Sequence, residues 1–193
     1  MEFEIKKLNK KDYNKIIQYA IKGMHFNMYL ANKLELNLYG RYFWYLELTN
    51  ATQVISVYIG NELAGVLIAD FKGEEKIHKS FWKSLYVNIF DWIQRAFFKE
   101  SVGIYDKVNK EMLENYRSEN NLDGEIRFLA ANPNIKVKGI GTFLLNELER
   151  RKKEKKYFCL QMTNALINFT NIEDLIELEK KILNLTWTKR KYH

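Results

Sequence analysis

Between Gly124 and Glu149 the chain runs GEIRFLAANPNIKVKGIGTFLLNELE, and the order of residue types there restricts the fold more than any other stretch. Ile126 to Asn132 is apolar and Ala-rich with one charge, the composition of a buried strand bounded by turn residues. Asn132-Pro133-Asn134 follows, a turn signal containing the only proline of the chain. After a short basic segment come Gly139 and Gly141, and then Phe143, Leu144, Leu145 and Leu148 recur at helical spacing. The stretch predicts a strand, a turn, a glycine-spaced loop and a helix.

That order has a chemical use. The first N–H groups of a helix have no intrahelical partner and lie at the positive end of its dipole, so they can hold an anion if no side chain blocks the approach. Glycine at 139 and 141 removes the obstruction, and Lys136 and Lys138 add charge that suits a pyrophosphate. Glycine-x-glycine alone is a weak signal; its position between strand and helix gives it meaning.

Lys136-Val137-Lys138-Gly139-Ile140-Gly141-Thr142 resembles the acyl-CoA pyrophosphate loop of the GNAT N-acetyltransferase superfamily, Gln/Arg-x-x-Gly-x-Gly/Ala. Ala131-Asn132-Pro133 is similar to the Val-x-Pro that often ends that family's central strand. Lysine at 136 departs from the pattern, keeping charge and losing the fork geometry. The resemblance implies an α/β (α+β layered) fold with a mixed, mostly antiparallel central sheet flanked by helices. It also implies acetyl-CoA as acyl donor and a primary amine as acceptor. The diphosphate would lie against residues 136 to 142, and main-chain groups of Leu129, Ala130 and Ala131 would hold the pantetheine and polarise the thioester carbonyl. Glu125 opens the strand eleven residues before Lys136, a spacing similar to the histone-acetylating branch, where a glutamate acts as general base through water. The competing reading of Glu125 is a solvated charge at a strand end.

At 193 residues with 47% hydrophobic composition the chain is expected to form one domain, 1–193, with an ample core. There is no apolar run long enough for a membrane span, and the charged start MEFEIKKLNK predicts no signal peptide. The single cysteine, Cys159, fits a reducing cytoplasm, and His25, His78 and His193 lack ligand-like spacing, so no metal site is predicted. Of the net charge of +7, much is local: six of the seven residues from Arg150 to Lys156 are basic. A solvated helix end is favoured there over a nucleic-acid patch, because cations suit the negative end of the dipole.

In chain order, Phe3 and Ile5 mark a short first strand. Asn9 caps a helix carrying Tyr13, Ile16, Ile17, Ala20, Ile21 and Met24, and a second helix is predicted from Tyr29 to Leu48. Thr52 to Ile59 and Glu62 to Asp70 read as strands joined by a hairpin at Gly60-Asn61. Residues 80–120 carry two helical patterns, Phe81 to Phe97 and Val108 to Tyr116, an insertion relative to the superfamily. This hairpin is expected either to cap the acceptor side or to bury its aromatics against the sheet or a second subunit, and a homodimer is one possibility. Asp70, Glu74 and Glu75 are candidates for attracting a cationic acceptor.

The tail, 157–193, departs from the family. Tyr157 to Met162 reads as a strand and Ile172 to Leu185 as a helix, with no glycine after Gly141 and no tyrosine between Tyr157 and Tyr192. Back-translated with A/T-rich codons and read two bases on, the tail yields a strand, Asp-Asp, Tyr-x-x-Phe-Tyr and Arg-Gly-Phe in family order. A shifted reading frame from about Lys156 is therefore expected, with an A- or T-rich tract around codons 152 to 158. The functional alternative to an acetyltransferase is a CoA-binding protein of the same fold with little or no turnover. A small basic nucleic-acid-binding protein ranks third.

Overall fold

The computed structural model describes residues 2–24, 26–28, 30, 32–97, 122–161 and 165–169. Strand β1 is Glu4–Lys6, followed by helices α1, Tyr13–Gly23, and α2, Lys33–Asn50. Strands β2, Gln53–Ile59, and β3, Glu62–Phe71, form the hairpin at Gly60-Asn61, with Gly60 at φ 61°. Then come α3, Phe81–Phe97; β4, Gly124–Ala131; α4, Ile140–Arg151; β5, Tyr157–Gln161; and β6, Ala165–Phe169. The six strands lie in the order β1-β2-β3-β4-β5-β6, antiparallel at every junction except β4–β5, which is parallel. The class is α+β, a mostly antiparallel sheet with helices.

Local chemistry explains the helix starts. Asn9 Oδ1 accepts from the Lys11 N–H at 3.0 Å and opens a short 3-10 turn that runs into α1. Asn32 does the same for α2, accepting from the Leu34 N–H at 2.9 Å. The predicted start at Tyr29 is therefore four residues early: the apolar periodicity runs on upstream, whereas the cap sets where helical hydrogen bonding begins.

The sheet is covered on both faces. On one, Ile16, Ile17 and Ala20 of α1 and Trp44 and Leu48 of α2 pack on Val66, Ile68 and Phe128. On the other, Ile140, Leu144, Leu145 and Leu148 of α4 pack on Leu67, Ala69, Phe71 and Ile126. Each buried Val, Leu, Ile or Phe among them contributes about 1.5–3 kcal/mol. The second face depends on Gly65 in β3, where a Cβ would come within 2.7 Å of Ile140 Cγ2 and 3.0 Å of Leu144 Cδ1. Glycine there lets the start of α4 rest directly on the strand.

Helix α3 lies on α2 rather than on the sheet. Tyr42 Oη donates to Asp91 at 2.6 Å, Tyr42 stacks on Phe90 at 4.6 Å and Tyr45 meets Tyr86 edge-on at 5.5 Å. The expectation of a helix after residue 80 is met by α3, and its aromatics divide between α2 and solvent. The second helical pattern, Val108 to Tyr116, and the tail helix, Ile172 to Leu185, lie outside the described residues. Tyr157 to Gln161 is a strand as expected, and β6 was not foreseen, although ALINF lies between the polar pairs Thr163-Asn164 and Thr170-Asn171 that could have marked it.

Replacing Gly65 with Ala forces α4 off β3. The expected cost is about 1–3 kcal/mol, a fall in Tm of roughly 2–10 °C at this chain length. A thermal melt in which Gly65→Ala equals the parent would contradict this packing.

Candidate functional site

Strand β4 carries the site because its ladders are irregular on both edges. Against β3, Leu129 faces Leu67 and Phe128 faces Ile68, but Ile126 faces Ala69, so Arg127 is an extra residue with no partner across the ladder. This is a β-bulge, and it puts Arg127 and Phe128 on the same face. Against β5, pairing covers Gly124, Glu125 and Ile126 with Tyr157, Phe158 and Cys159 and goes no further. From Arg127 onward, the β5 edge of β4 has no strand partner among the described residues. The main chain of Leu129, Ala130 and Ala131 lies along this unpaired edge.

The turn after β4 is tied down by Asn132. Its N–H donates to Ala64 O at 2.7 Å, its side-chain Nδ2 donates to Leu63 O and Glu62 Oε1 at 3.1 Å each, and its Oδ1 accepts from the Asn134 N–H at 3.0 Å. Lys136 and Lys138 are exposed and Val137 is half-buried. Gly139 sits at φ 88° as the residue before α4, a left-handed conformation that side chains resist. No side chain caps this helix, and its first bond runs from the Phe143 N–H to Gly139 O at 2.9 Å. Helix geometry thus leaves the N–H groups of Ile140, Gly141 and Thr142 without intrahelical partners. A Cβ at Gly141 would meet nothing within 4 Å, whereas the Ile140 side chain is buried under the sheet. The structure brings Leu129, Ala130 and Ala131 and residues 136 to 142 to one end of β4.

Glu125 lies at the other end of β4, before the bulge, on the face covered by α1 and α2. It is 8% exposed, so the alternative reading as a solvated strand-end charge is overturned. It accepts from Arg127 Nη1, and Arg127 Nε donates to Glu47 Oε2 at 2.6 Å. Two carboxylates thus share one guanidinium beneath α2. Burial pushes the Glu47 carboxyl up to about 7 against the opposing pull of Arg127, and the charges of Glu125 and Asp70 push the same way as burial. Asp70 faces Glu125 across the ladder and accepts from Lys76 Nζ at 2.5 Å.

A cavity of about 300 Å³ opens beside this group, with Asp70, Phe71, Glu74, Lys76, Gly124 and Glu125 in its wall. Of the acids considered for an acceptor, Asp70 and Glu74 are therefore at the cavity. Glu75 is not; its side chain is 92% exposed and pairs with Lys79 at 3.6 Å. Glu47 and Arg127 escaped notice in the sequence. The available signals were a lone arginine in the apolar GEIRFLAA and a lone acid in the apolar WYLEL of α2. Among the described residues no His/Cys/Asp/Glu group could hold a metal ion, and no helix is long and apolar enough to cross a membrane.

A scan against protein-family models finds no match for the chain, and a search of curated proteins finds none either.

Because the folded state holds the Glu47 proton more tightly than the unfolded chain, its stabilising effect is complete below the ordinary carboxylate value near 4.5. It is lost as pH rises through about 7. Glu47→Gln, which keeps the shape and leaves Arg127 paired with Glu125, is expected to match the parent in denaturant melts near pH 4. It should gain on the parent as pH rises to 8, by on the order of 3 kcal/mol. A stability difference independent of pH would contradict the assignment.

Proposed function

We propose that this chain is an acyl-CoA-dependent N-acetyltransferase of the GNAT type, moving an acetyl group from acetyl-CoA to a primary amine. One observation carries the reading: β4 bulges at Arg127, loses its pairing with parallel β5 there, and leads through a left-handed glycine into a helix with no side-chain cap. An open strand edge offers main-chain donors and acceptors to an extended amide-bearing arm, as a missing strand would use them. The free N–H groups of α4, with Lys136 and Lys138 nearby, suit the diphosphate at the end of that arm. The order of strands and helices around them adds support to the resemblance.

In this scheme residues 136 to 142 hold the diphosphate, and the main chain of Leu129, Ala130 and Ala131 holds the pantetheine and polarises the thioester carbonyl. Glu125 takes a proton from the ammonium form of the acceptor through water. The freed nitrogen bonds to the carbonyl carbon, the carbon–sulfur bond breaks, and the proton that the nitrogen gives up in becoming an amide passes to the departing thiolate, so CoA leaves as its thiol. Arg127 positions Glu125. Glu47, on the same guanidinium, holds its own proton up to about 7 because of burial. The second reading, CoA binding with little or no turnover, is favoured by the lack of any tyrosine between Tyr157 and Tyr192 to act as the acid.

At 100 times its dissociation constant, acetyl-CoA is expected to add about 2.7 kcal/mol of stability. A Gly141→Val variant should melt close to the parent without ligand, since a side chain there meets open space, and should lose most of the ligand-induced shift. Thiol release against a panel of amines should fall by about 10²–10⁴ in Glu125→Gln, with the ligand-induced shift retained. No shift in the parent, or a full shift in Gly141→Val, contradicts the reading. A full shift with no thiol release from any amine selects binding without turnover.

A further inference from the structure

Helix α3 presents an unusual surface. Phe81, Trp82 and Trp92 are 73%, 76% and 68% exposed, and Ile89 and Ile93 follow at 50% and 38%. Their spacing is helical, so they form one stripe along the side of α3 turned away from α2. Tyr86 Oη donates to Leu38 O at 3.1 Å, which brings α2 beside the stripe at a point where Leu38 is itself 40% exposed. Three large aromatics at about 150–250 Å² each, roughly 70% exposed, together with the aliphatic side chains, make an apolar face on the order of 600 Å². That is the upper end of what monomers present and most of the ~800 Å² that each partner gives to a stable interface.

The stripe is also uncharged. The two charged residues between Phe81 and Ile93 are Lys83 and Asp91, and both face inward. Lys83 Nζ lies over the rings of Tyr13 and Tyr45 at 5.7 and 5.9 Å, and Asp91 accepts from Tyr42. Polar neighbours on the exposed side are the neutral Ser84 and Asn88. Exposed charges lie at the border of the stripe and not in it, Lys79 just before Phe81 and Arg41 on α2 beside Tyr86. A membrane surface calls for a strongly cationic polar face, and a charged partner would find nothing along the stripe itself to pair with. A second copy fits: across a two-fold axis the same neutral stripe meets itself with no like-charge repulsion.

We propose that the α3 stripe is the contact between two copies of this chain, packed as helix on helix across a two-fold axis, with each α2–α3 pair contributing to a four-helix layer. The inference does not depend on the acetyltransferase reading. Sedimentation velocity over nanomolar to high-micromolar concentrations should show a monomer–dimer equilibrium for the parent. It should show monomer alone for Trp82→Glu combined with Trp92→Glu, with the circular dichroism spectrum unchanged. The milder Trp92→Gln guards against a folding defect and should weaken the dimer at least tenfold. A parent that is monomeric at every concentration, a dimer of unchanged affinity in either variant, or flotation of the monomer with anionic vesicles would overturn the proposal.

Discussion

An extra residue in a β-ladder has nowhere to go within the pairing, and at Arg127 its displacement sets the geometry of everything downstream. The bulge puts two successive side chains on the face covered by α1 and α2, Arg127 toward Glu47 and Phe128 into the core beside Trp44. A buried guanidinium is tolerated only with its charge met, and Glu47 and Glu125 meet it. Burial alone pulls Arg127 down, but the two carboxylates outweigh it and hold the guanidinium above its ordinary value. Two acids on one base leave a surplus negative charge in a poorly solvated place, and Glu47 answers by keeping its proton toward neutrality.

The same strand separates two kinds of chemistry. Before the bulge it carries Glu125 beside an ionic cavity; after it, small residues and an open main-chain edge lead to the α4 N-terminus. Gly65 matters to the second half, since the start of α4 reaches the sheet only because β3 has no side chain beneath Ile140 and Leu144. Asn132 matters to the hand-over, with backbone and side chain both tied to the β2–β3 hairpin side of the sheet. The N-terminal end of α4 is thus held from below, by packing, and from the side, by hydrogen bonds.

Much of this was legible in the sequence where the signal was local. The strand, turn, glycine loop and helix between 124 and 151 follow from period and from residues with restricted backbone preferences, and the Asn9 cap and Gly60-Asn61 hairpin do likewise. The bulge was not legible, because it is defined by register against β3 rather than by any residue in β4. Nor was the ion-pair group, since Glu47 and Arg127 are 80 residues apart and meet only when α2 crosses the sheet. The start of α2 was misplaced because periodicity continues past the residue that caps it. The aromatics of α3 carried one pattern in sequence and two environments in the fold, Tyr86 and Phe90 on α2 and Phe81, Trp82 and Trp92 in solvent.

The proposed grip on a coenzyme diphosphate comes from main-chain N–H groups at the start of α4. Backbone amide NMR of the ¹⁵N-labelled chain during titration with acetyl-CoA reads those groups one by one. Saturable shifts are expected at Ile140, Gly141 and Thr142, with smaller ones along Leu129 to Ala131. Saturation that leaves these amides unmoved, or no change anywhere in the spectrum, would contradict it.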